Sequence, residues 1–153
     1  MKLLIQLSLV AMVAMMTACS GGQAPRKGQP SDDRYTYEYI KKVSVTQPKQ
    51  ALRLLSTAEE RKMMPELDIN VLRGMVYYNS MLDYKKAGTC TEAALRDPSI
   101  THKPDRLLEA LHIAALVYYN RSDYANCMRV TERGIDEAYE HDDRKLVAKF
   151  MTV

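Results

Sequence analysis

The sequence lacks the short motifs that mark most enzyme active sites. It has no glycine-rich phosphate loop, no His-Glu-x-x-His, no Cys-x-x-Cys and no Gly-x-Ser-x-Gly. Its three histidines, His102, His112 and His141, are far apart in the chain, and a metal site needs several ligands that converge. The sequence therefore predicts no catalytic residue, no metal site and no cofactor.

Tryptophan is absent, glycine is sparse and neither sign of charge dominates. The absence of tryptophan argues against glycan capture. No alternating run of polar and apolar residues is long enough for a convincing β-strand, and the apolar residues recur at helical spacing, so we expect an all-α fold. The 22 basic and 19 acidic side chains form no basic stripe and no RNA-binding motif, which argues against nucleic acid as a partner.

The first 18 residues have the pattern of an export signal. A basic start is followed by an almost wholly apolar run over residues 3–16 and then by the small residues Thr17 and Ala18. A membrane-spanning helix needs roughly 20 apolar residues, so this run is too short to cross a bilayer comfortably. We therefore interpret residues 1–18 as a signal peptide that is removed from the mature protein.

The end of this signal, residues 16–19 with the sequence Met-Thr-Ala-Cys, resembles the bacterial lipobox. Methionine stands where leucine is usual. The resemblance implies a mature chain that begins at a lipidated Cys19 and is anchored to a membrane. The alternative is a plain secretory signal in which Cys19 is incidental. Residues 19–31 are rich in Gly and Pro and have no large apolar side chain, which predicts a flexible tether.

Capping and helix-breaking residues predict seven helices in the remaining chain, residues 32–153. Acidic residues precede several apolar stretches, Pro48 starts one, and Pro65 breaks the chain between the second and the third. The segment 99–104 reads as a loop. The predicted helices cover about residues 33–45, a segment from residue 48 to before Pro65, and then residues 66–80, 83–96, 105–120, 123–140 and 142–153.

A tyrosine-rich signature occurs twice in these helices. Tyr-Tyr-Asn at residues 77–79 runs on to Asp-Tyr at 83–84, and the same residues recur at 118–120 and 123–124, with one residue fewer between them. The small residues Ala51, Ala87 and Cys127 follow at intervals of 36 and 40. These features resemble the tetratricopeptide repeat, a 34-residue helical hairpin. The resemblance implies an α-solenoid of about three hairpins plus one C-terminal helix.

In that family the first helices of successive hairpins line a concave groove that binds a protein or a peptide. The resemblance implies a partner-binding groove here, and the alternative is that its residues are solvated or make contacts within the chain. The implied groove residues are Asp68, Val71, Met75, Tyr78, Asn79, Glu109, His112, Leu116, Tyr119 and Asn120.

The resemblance implies a non-catalytic, membrane-anchored interaction or scaffold module of the bacterial envelope, similar to the envelope-side regions of Bacteroidetes lipoproteins. The absence of Asp directly after Cys19 favours the outer membrane and a periplasm-facing domain. The alternative function is the sensory input domain, or a truncated remnant, of a signalling regulator that carries similar repeats. Glycan capture is a third and less favoured function.

Two structural questions stay open at the level of sequence. The last helix ends in Phe150, Met151 and Val153 and would leave an apolar face exposed. A longer protein, a dimer across this end, or docking of this helix on the sixth would each cover that face, and we favour a longer protein of which this chain is a truncated part. Cys90 and Cys127 lie at nearby positions of successive hairpins. We expect Cys127 to be a buried free thiol, with a disulfide to Cys90 as the alternative.

Overall fold

The computed structural model of the chain describes residues 33–153, and every regular element in this range is helical. The all-α prediction is therefore confirmed, and so is the number of α-helices. The predicted signal peptide, the tether and Cys19 lie outside the described residues. The elements are a 3₁₀ turn at Asp33–Tyr35, α1 at Tyr37–Thr46, α2 at Pro48–Glu60, α3 at Glu66–Asn79, α4 at Tyr84–Arg96, a 3₁₀ turn at Pro98–His102, α5 at Pro104–Asn120, α6 at Tyr124–Glu140 and α7 at Arg144–Phe150.

The observed helix ends agree with the predicted ones except at the start and at the C-terminus. The first α-helix begins at Tyr37 because the hydroxyl of Thr36, and not a side chain at residue 33, accepts the hydrogen bond from the backbone N–H of Tyr39, at 3.3 Å. The predicted loop at 99–104 is largely a 3₁₀ turn. The last helix ends at Phe150.

Three helices begin with the same aspartate cap. The side chains of Asp83, Asp123 and Asp143 each accept a hydrogen bond from the backbone N–H three residues further on, at 3.0, 3.3 and 3.0 Å. Each carboxylate satisfies an N–H that has no partner within its helix and also places negative charge at the positive end of the helix dipole. The sharp starts of α4, α6 and α7 follow from these caps.

The residue before each of these aspartates has a left-handed backbone. Leu82, Ser122 and Asp142 have φ values of 52°, 58° and 53°, and Lys62, in the turn between α2 and α3, has a φ of 52°. None of the four is a glycine, although this conformation costs other residues roughly 1 kcal/mol or more. Tight reversals of the chain therefore recur at the ends of α2, α3, α5 and α6.

The helices pack as successive antiparallel hairpins in two layers. α3 packs against α4 and α5 against α6, while α1 contacts α3, α3 contacts α5, and α5 contacts α7. We call the row α1, α3, α5 and α7 the inner layer. The even-numbered helices pack on its other side. This arrangement is consistent with the predicted α-solenoid.

Glycines allow two of the closest helix contacts. A methyl group on Gly74 of α3 would lie 2.7 Å from Cγ2 of Thr91 in α4. A methyl group on Gly134 of α6 would lie 2.3 Å from ring carbons of Phe150 in α7. Both distances are shorter than a carbon–carbon contact allows, so these helices could not pack as they do around a larger residue.

The C-terminal helix docks on the preceding hairpin. Val147 and Phe150 are 7% and 1% exposed, and α7 packs against α6 and α5. The apolar face that the sequence requires to be covered is therefore buried at these two residues. Docking on the sixth helix covers them. Met151, at 73% exposure, remains open to solvent. Between residues 33 and 153, no helix combines the length and the apolar character that crossing a membrane requires.

The contact between Gly134 and Phe150 predicts opposite effects of one substitution in two backgrounds. We expect Gly134→Ala to lower the free energy of unfolding of the wild-type chain by about 1–3 kcal/mol, because the new methyl group overlaps the ring. In the Phe150→Ala background the same change should raise it by about 1 kcal/mol, because alanine is the better helix former.

Urea denaturation of the four proteins, followed by circular dichroism, measures both effects. An equal effect of Gly134→Ala in the two backgrounds would contradict the packing of α7 on α6.

Candidate functional site

The ten residues predicted to line a groove divide into three groups. Those in the first halves of α3 and α5 are buried or engaged in ion pairs, four residues from the helix midpoints onward are half-buried, and the other three, at the last one or two positions, are exposed. The first group is Asp68, Val71 and Glu109; the second is Met75, Tyr78, His112 and Leu116; the third is Asn79, Tyr119 and Asn120.

Val71 does not line an open groove. Its side chain is completely buried and belongs to the same core cluster as Tyr37 and Ile40 of α1. Tyr37 itself is only 6% exposed. The packing of α1 against α3 therefore covers the part of the inner layer in which Val71 was predicted to be accessible.

Glu109 of α5 is held by two side chains of α1. The hydroxyl of Tyr37 donates a hydrogen bond to one carboxylate oxygen, and the ammonium group of Lys41 forms an ion pair with the other. The Glu109 side chain is 20% exposed. Both carboxylate oxygens are thus engaged within the chain, and the prediction that Glu109 faces a partner is corrected accordingly.

Asp68 of α3 is neutralised by two basic residues. Nε of Arg106 lies 3.1 Å from its carboxylate and Nζ of Lys103 lies 3.4 Å away. The guanidinium carbon of Arg106 also lies 3.2 Å from the centroid of the Tyr37 ring, over its face. Asp68 is 8% exposed, so its role is to join α3 to α5 rather than to bind a partner.

These contacts form one unit, which we call the charged cluster. It closes the inner layer where α1, α3 and α5 meet. Its members are Tyr37, Lys41, Asp68, Lys103, Arg106 and Glu109.

Electrostatics keeps the tyrosine of this cluster protonated. Burial raises the pKa of the Tyr37 hydroxyl well above its ordinary value, and the nearby carboxylate of Glu109 raises it further. The hydroxyl therefore remains a hydrogen-bond donor throughout the neutral pH range.

His112 packs against the last helix. Its ring meets Phe150 edge-on, with 5.5 Å between ring centroids and 89° between ring planes. Burial lowers the pKa of His112, and the charge of Lys149 lowers it further. A neutral imidazole against an aromatic ring is a packing contact. Of the other half-buried residues, Met75 packs against the small cluster of Ala87 and its neighbours.

The open part of the inner layer lies at the ends of α3 and α5. Tyr78 packs on Tyr84, with ring centroids 5.6 Å apart, and Tyr119 packs on Tyr124, with centroids 6.1 Å apart. The side-chain amide of Asn120 donates to the hydroxyl of Tyr78 at 3.1 Å. This bond links the two ring pairs across adjacent hairpins. We call these five residues the tyrosine row.

The tyrosine row is exposed where α5 meets α6. Tyr119 is 51% exposed and Tyr124 is 57% exposed. Met128 lies one helical turn beyond Tyr124, on the same face of α6, and is 63% exposed. Burial raises the pKa of the Tyr78 hydroxyl, while the hydrogen bond from Asn120 opposes that change. The row is therefore an accessible aromatic and amide surface.

Sequence reasoning identified part of this surface and omitted the rest. Tyr78, Tyr119 and Asn120 were among the predicted groove residues, whereas Tyr84, Tyr124 and Met128 were not. The repeated Asp-Tyr dipeptide carried the missing signal. The tyrosines that follow Asp83 and Asp123 each pack against a tyrosine at the end of the preceding helix.

Other candidate groups do not converge. In the part of the chain that the structure describes, no set of three or more His, Cys, Asp or Glu side chains could hold a metal ion. Cys90 and Cys127 are both free, as expected for Cys127, which is buried. His102 and His141 are exposed and lie in separate turns.

Comparison with known proteins does not assign a function to these residues. No family model, no curated protein and no solved structure matches the chain. The contacts within the described helices are therefore the basis for any functional proposal.

The buried hydroxyl of Tyr37 predicts a pH-dependent effect of its removal. We expect Tyr37→Phe to lower the free energy of unfolding at neutral pH by about 1.5–3 kcal/mol, because a hydrogen bond to a charged carboxylate is lost. The difference in the free energy of unfolding between Tyr37→Phe and the wild type should become smaller above about pH 10, where Tyr37 ionises in the unfolded chain. Because its pKa is raised in the folded protein, the unfolded state then binds fewer protons and the stabilisation is lost with rising pH.

Urea denaturation between about pH 7 and pH 11 measures this difference. Tyr39→Phe is the control, because Tyr39 lies in the same helix and is 38% exposed. A difference for Tyr37→Phe that stays constant across the range would contradict the assignment.

Proposed function

We propose that the chain is a non-catalytic interaction module, built like a tetratricopeptide array, that binds an extended peptide segment of another protein along the tyrosine row. The observation that carries this proposal is the hydrogen bond between Asn120 and Tyr78, which connects the half-buried ring pair of α3 and α4 to the helix end that carries the exposed pair. Tyrosine is enriched among the residues that dominate binding energy at protein interfaces.

The chemistry of the row suits a peptide chain. A tyrosine ring offers apolar area with little loss of side-chain entropy, and its hydroxyl can bond to a backbone amide. The exposed amide of Asn79 lies next to Tyr78 in the sequence and adds a donor and an acceptor. Apolar contact combined with directional hydrogen bonds is what an extended peptide requires.

The charged cluster determines where on the inner layer a peptide would lie. Asp68 and Tyr78 are ten residues apart on α3, which corresponds to about 15 Å along the helix. Because α1 occupies the end with Asp68, the peptide would cross the ends of α3 and α5 close to the turns that lead into α4 and α6.

The proposed location is the bacterial envelope. Cys19 would carry the lipid that anchors the mature chain, and residues 19–31 would hold the helical domain away from the membrane. Each buried methylene of an attached acyl chain contributes about 0.8 kcal/mol, so two or more chains give stable anchoring.

Site-specific photocrosslinking tests the peptide-binding surface. We expect benzoylphenylalanine at position 119 or 124 to give protein adducts of discrete mass in cells that express the full chain. The same group at position 139 is the matched control, because Tyr139 is 64% exposed on α6 and belongs to neither ring pair.

A second change links the adducts to the tyrosine row. Asn120→Ala should reduce the yield of the adduct at position 124 by about fivefold or more, because it removes the bond that joins the ring pairs. Equal yields at positions 124 and 139, or a yield that Asn120→Ala leaves unchanged, would contradict binding at this surface.

Lipidation is tested separately by fractionation and intact-mass measurement. We expect the wild-type protein to be found in membranes with the added mass of acyl chains, and Cys19→Ser to lose both the added mass and the membrane association. Cys90→Ser is the control and should keep both. Membrane association of the Cys19→Ser protein with an unchanged lipid mass would exclude Cys19 as the anchor.

A further inference from the structure

A second accessible surface is formed by α4, α5 and α6, away from the tyrosine row. It is a cleft between α4 and α6, with α5 as its floor, and it encloses about 350 Å³. Tyr118 lies in this cleft, whereas Tyr119 belongs to the tyrosine row. Consecutive residues of an α-helix point about 100° apart, which explains how neighbouring tyrosines reach two different surfaces. We call it the outer cleft.

Three arginines line the outer cleft from both sides. Arg96 comes from α4, while Arg129 and Arg133 lie one turn apart on α6. Among the described residues that line the cleft, Glu92 is the one with an acidic side chain. The cleft therefore carries an excess of positive charge, supplied by side chains that can bind a carboxylate or phosphate with two parallel hydrogen bonds.

The contacts that these arginines make are long and stay on their own helices. Arg96 lies 3.8 Å from Glu92, and Arg133 lies 3.6 Å from Glu137. Arg129 donates to the amide oxygen of Asn126 at 3.3 Å. A guanidinium group has five N–H donors. Among the described residues, these contacts use only part of that donor capacity.

Arg73, in contrast, forms a bidentate ion pair within the chain. Its two terminal nitrogens donate to the two carboxylate oxygens of Glu59 at 2.8 and 2.7 Å, which joins α3 to α2. Arg73 lines the neighbouring cleft, whose floor includes Tyr77. The arginines of the outer cleft have no such bidentate partner among the contacts of residues 33–153.

The floor of the outer cleft is apolar. Leu111 and Tyr118 of α5 form its base, and Leu95 and Val130 stand at its sides. The hydroxyl of Tyr118 donates to Glu92 at 3.3 Å, which holds that carboxylate at the edge. An apolar base beneath a basic rim matches a molecule that has an apolar body and one anionic group.

We propose that the outer cleft binds a small organic anion, with its carboxylate or phosphate held by Arg129, Arg133 and Arg96 and its apolar body resting on Tyr118 and Leu95. The volume is near the lower end of ligand-binding pockets, which fits a ligand of one ring or a short aliphatic chain. This site is independent of the tyrosine row and of any peptide that binds there.

Titration with phenyl phosphate, followed by amide chemical shifts in NMR spectra of the isotope-labelled chain, tests the proposal. We expect saturable shifts at Leu95, Leu111, Tyr118 and Val130 at concentrations up to about 10 mM. Inorganic phosphate has the anionic group without the ring, and phenol has the ring without the anionic group. Each should bind more weakly than phenyl phosphate, by a factor of about ten or more. Benzoate, run in parallel, shows which anionic group the cleft prefers.

Substitutions then identify the residues that hold the anion. Arg129→Gln and Arg133→Gln should each weaken phenyl phosphate binding by about fivefold, and Arg133→Lys should weaken it less, because lysine keeps the charge but not the forked donors. Arg144→Gln is the control, since Arg144 is 90% exposed and lies outside the cleft. Circular dichroism of each variant confirms that the fold is retained.

Three results would overturn the proposal. One is the absence of saturable shifts with both phenyl phosphate and benzoate. Another is equal binding of phenyl phosphate and inorganic phosphate, which would show only general attraction to positive charge. The third is an equal loss of binding in Arg144→Gln and Arg133→Gln. A Tyr119→Ala variant that binds phenyl phosphate normally would show that this site does not depend on the peptide-binding surface.

Discussion

The close approach of paired helices at small residues controls the rest of the architecture. Gly74 lets α3 lie directly against Thr91 of α4, and Gly134 lets α6 accept the ring of Phe150. The turns between these helix pairs are short, and Leu82 and Asp142 adopt left-handed conformations within them. The aspartate that follows each of these residues then starts the next helix. The positions of the tyrosines at the ends of α3 and α5 follow from this sequence of constraints.

The charged cluster decides how much of the inner layer is open. Removing charged groups from water is costly, and the cost is offset only where they pair closely and keep their remaining hydrogen bonds. Asp68 and Glu109 meet that condition because four donors surround them. The same contacts draw α1 across to α5, so a surface that a regular array of hairpins would leave open is closed at this end.

Local signals in the sequence were sufficient to predict the helices. They were insufficient to predict which residues of the inner layer are accessible. Proline at the start of α2 and the capping aspartates act over a few residues, so they could be read directly. The bond between Tyr37 and Glu109 joins residues 72 positions apart and forms only when α1 and α5 come together in the folded chain. Nothing near Glu109 in the sequence indicates that its partner is Tyr37. The same reasoning explains why Asp68 was assigned to a groove, since its pairing with Arg106 arises only when α3 lies beside α5.

Two neighbouring clefts with similar floors can have different chemistry because their charges are paired differently. Tyr77 and Tyr118 occupy equivalent places in successive hairpins, and each forms part of a cleft between even-numbered helices. In the first cleft the charge of Arg73 is matched by Glu59, and Lys86 lies 5.4 Å from the centroid of the Tyr77 ring. In the second cleft the direct contacts that the arginines make among residues 33–153 are long and stay on their own helices. Similar packing of helices thus supplies the shape of both clefts, and the presence or absence of one well-placed carboxylate distinguishes how the arginine charge is paired in each of them.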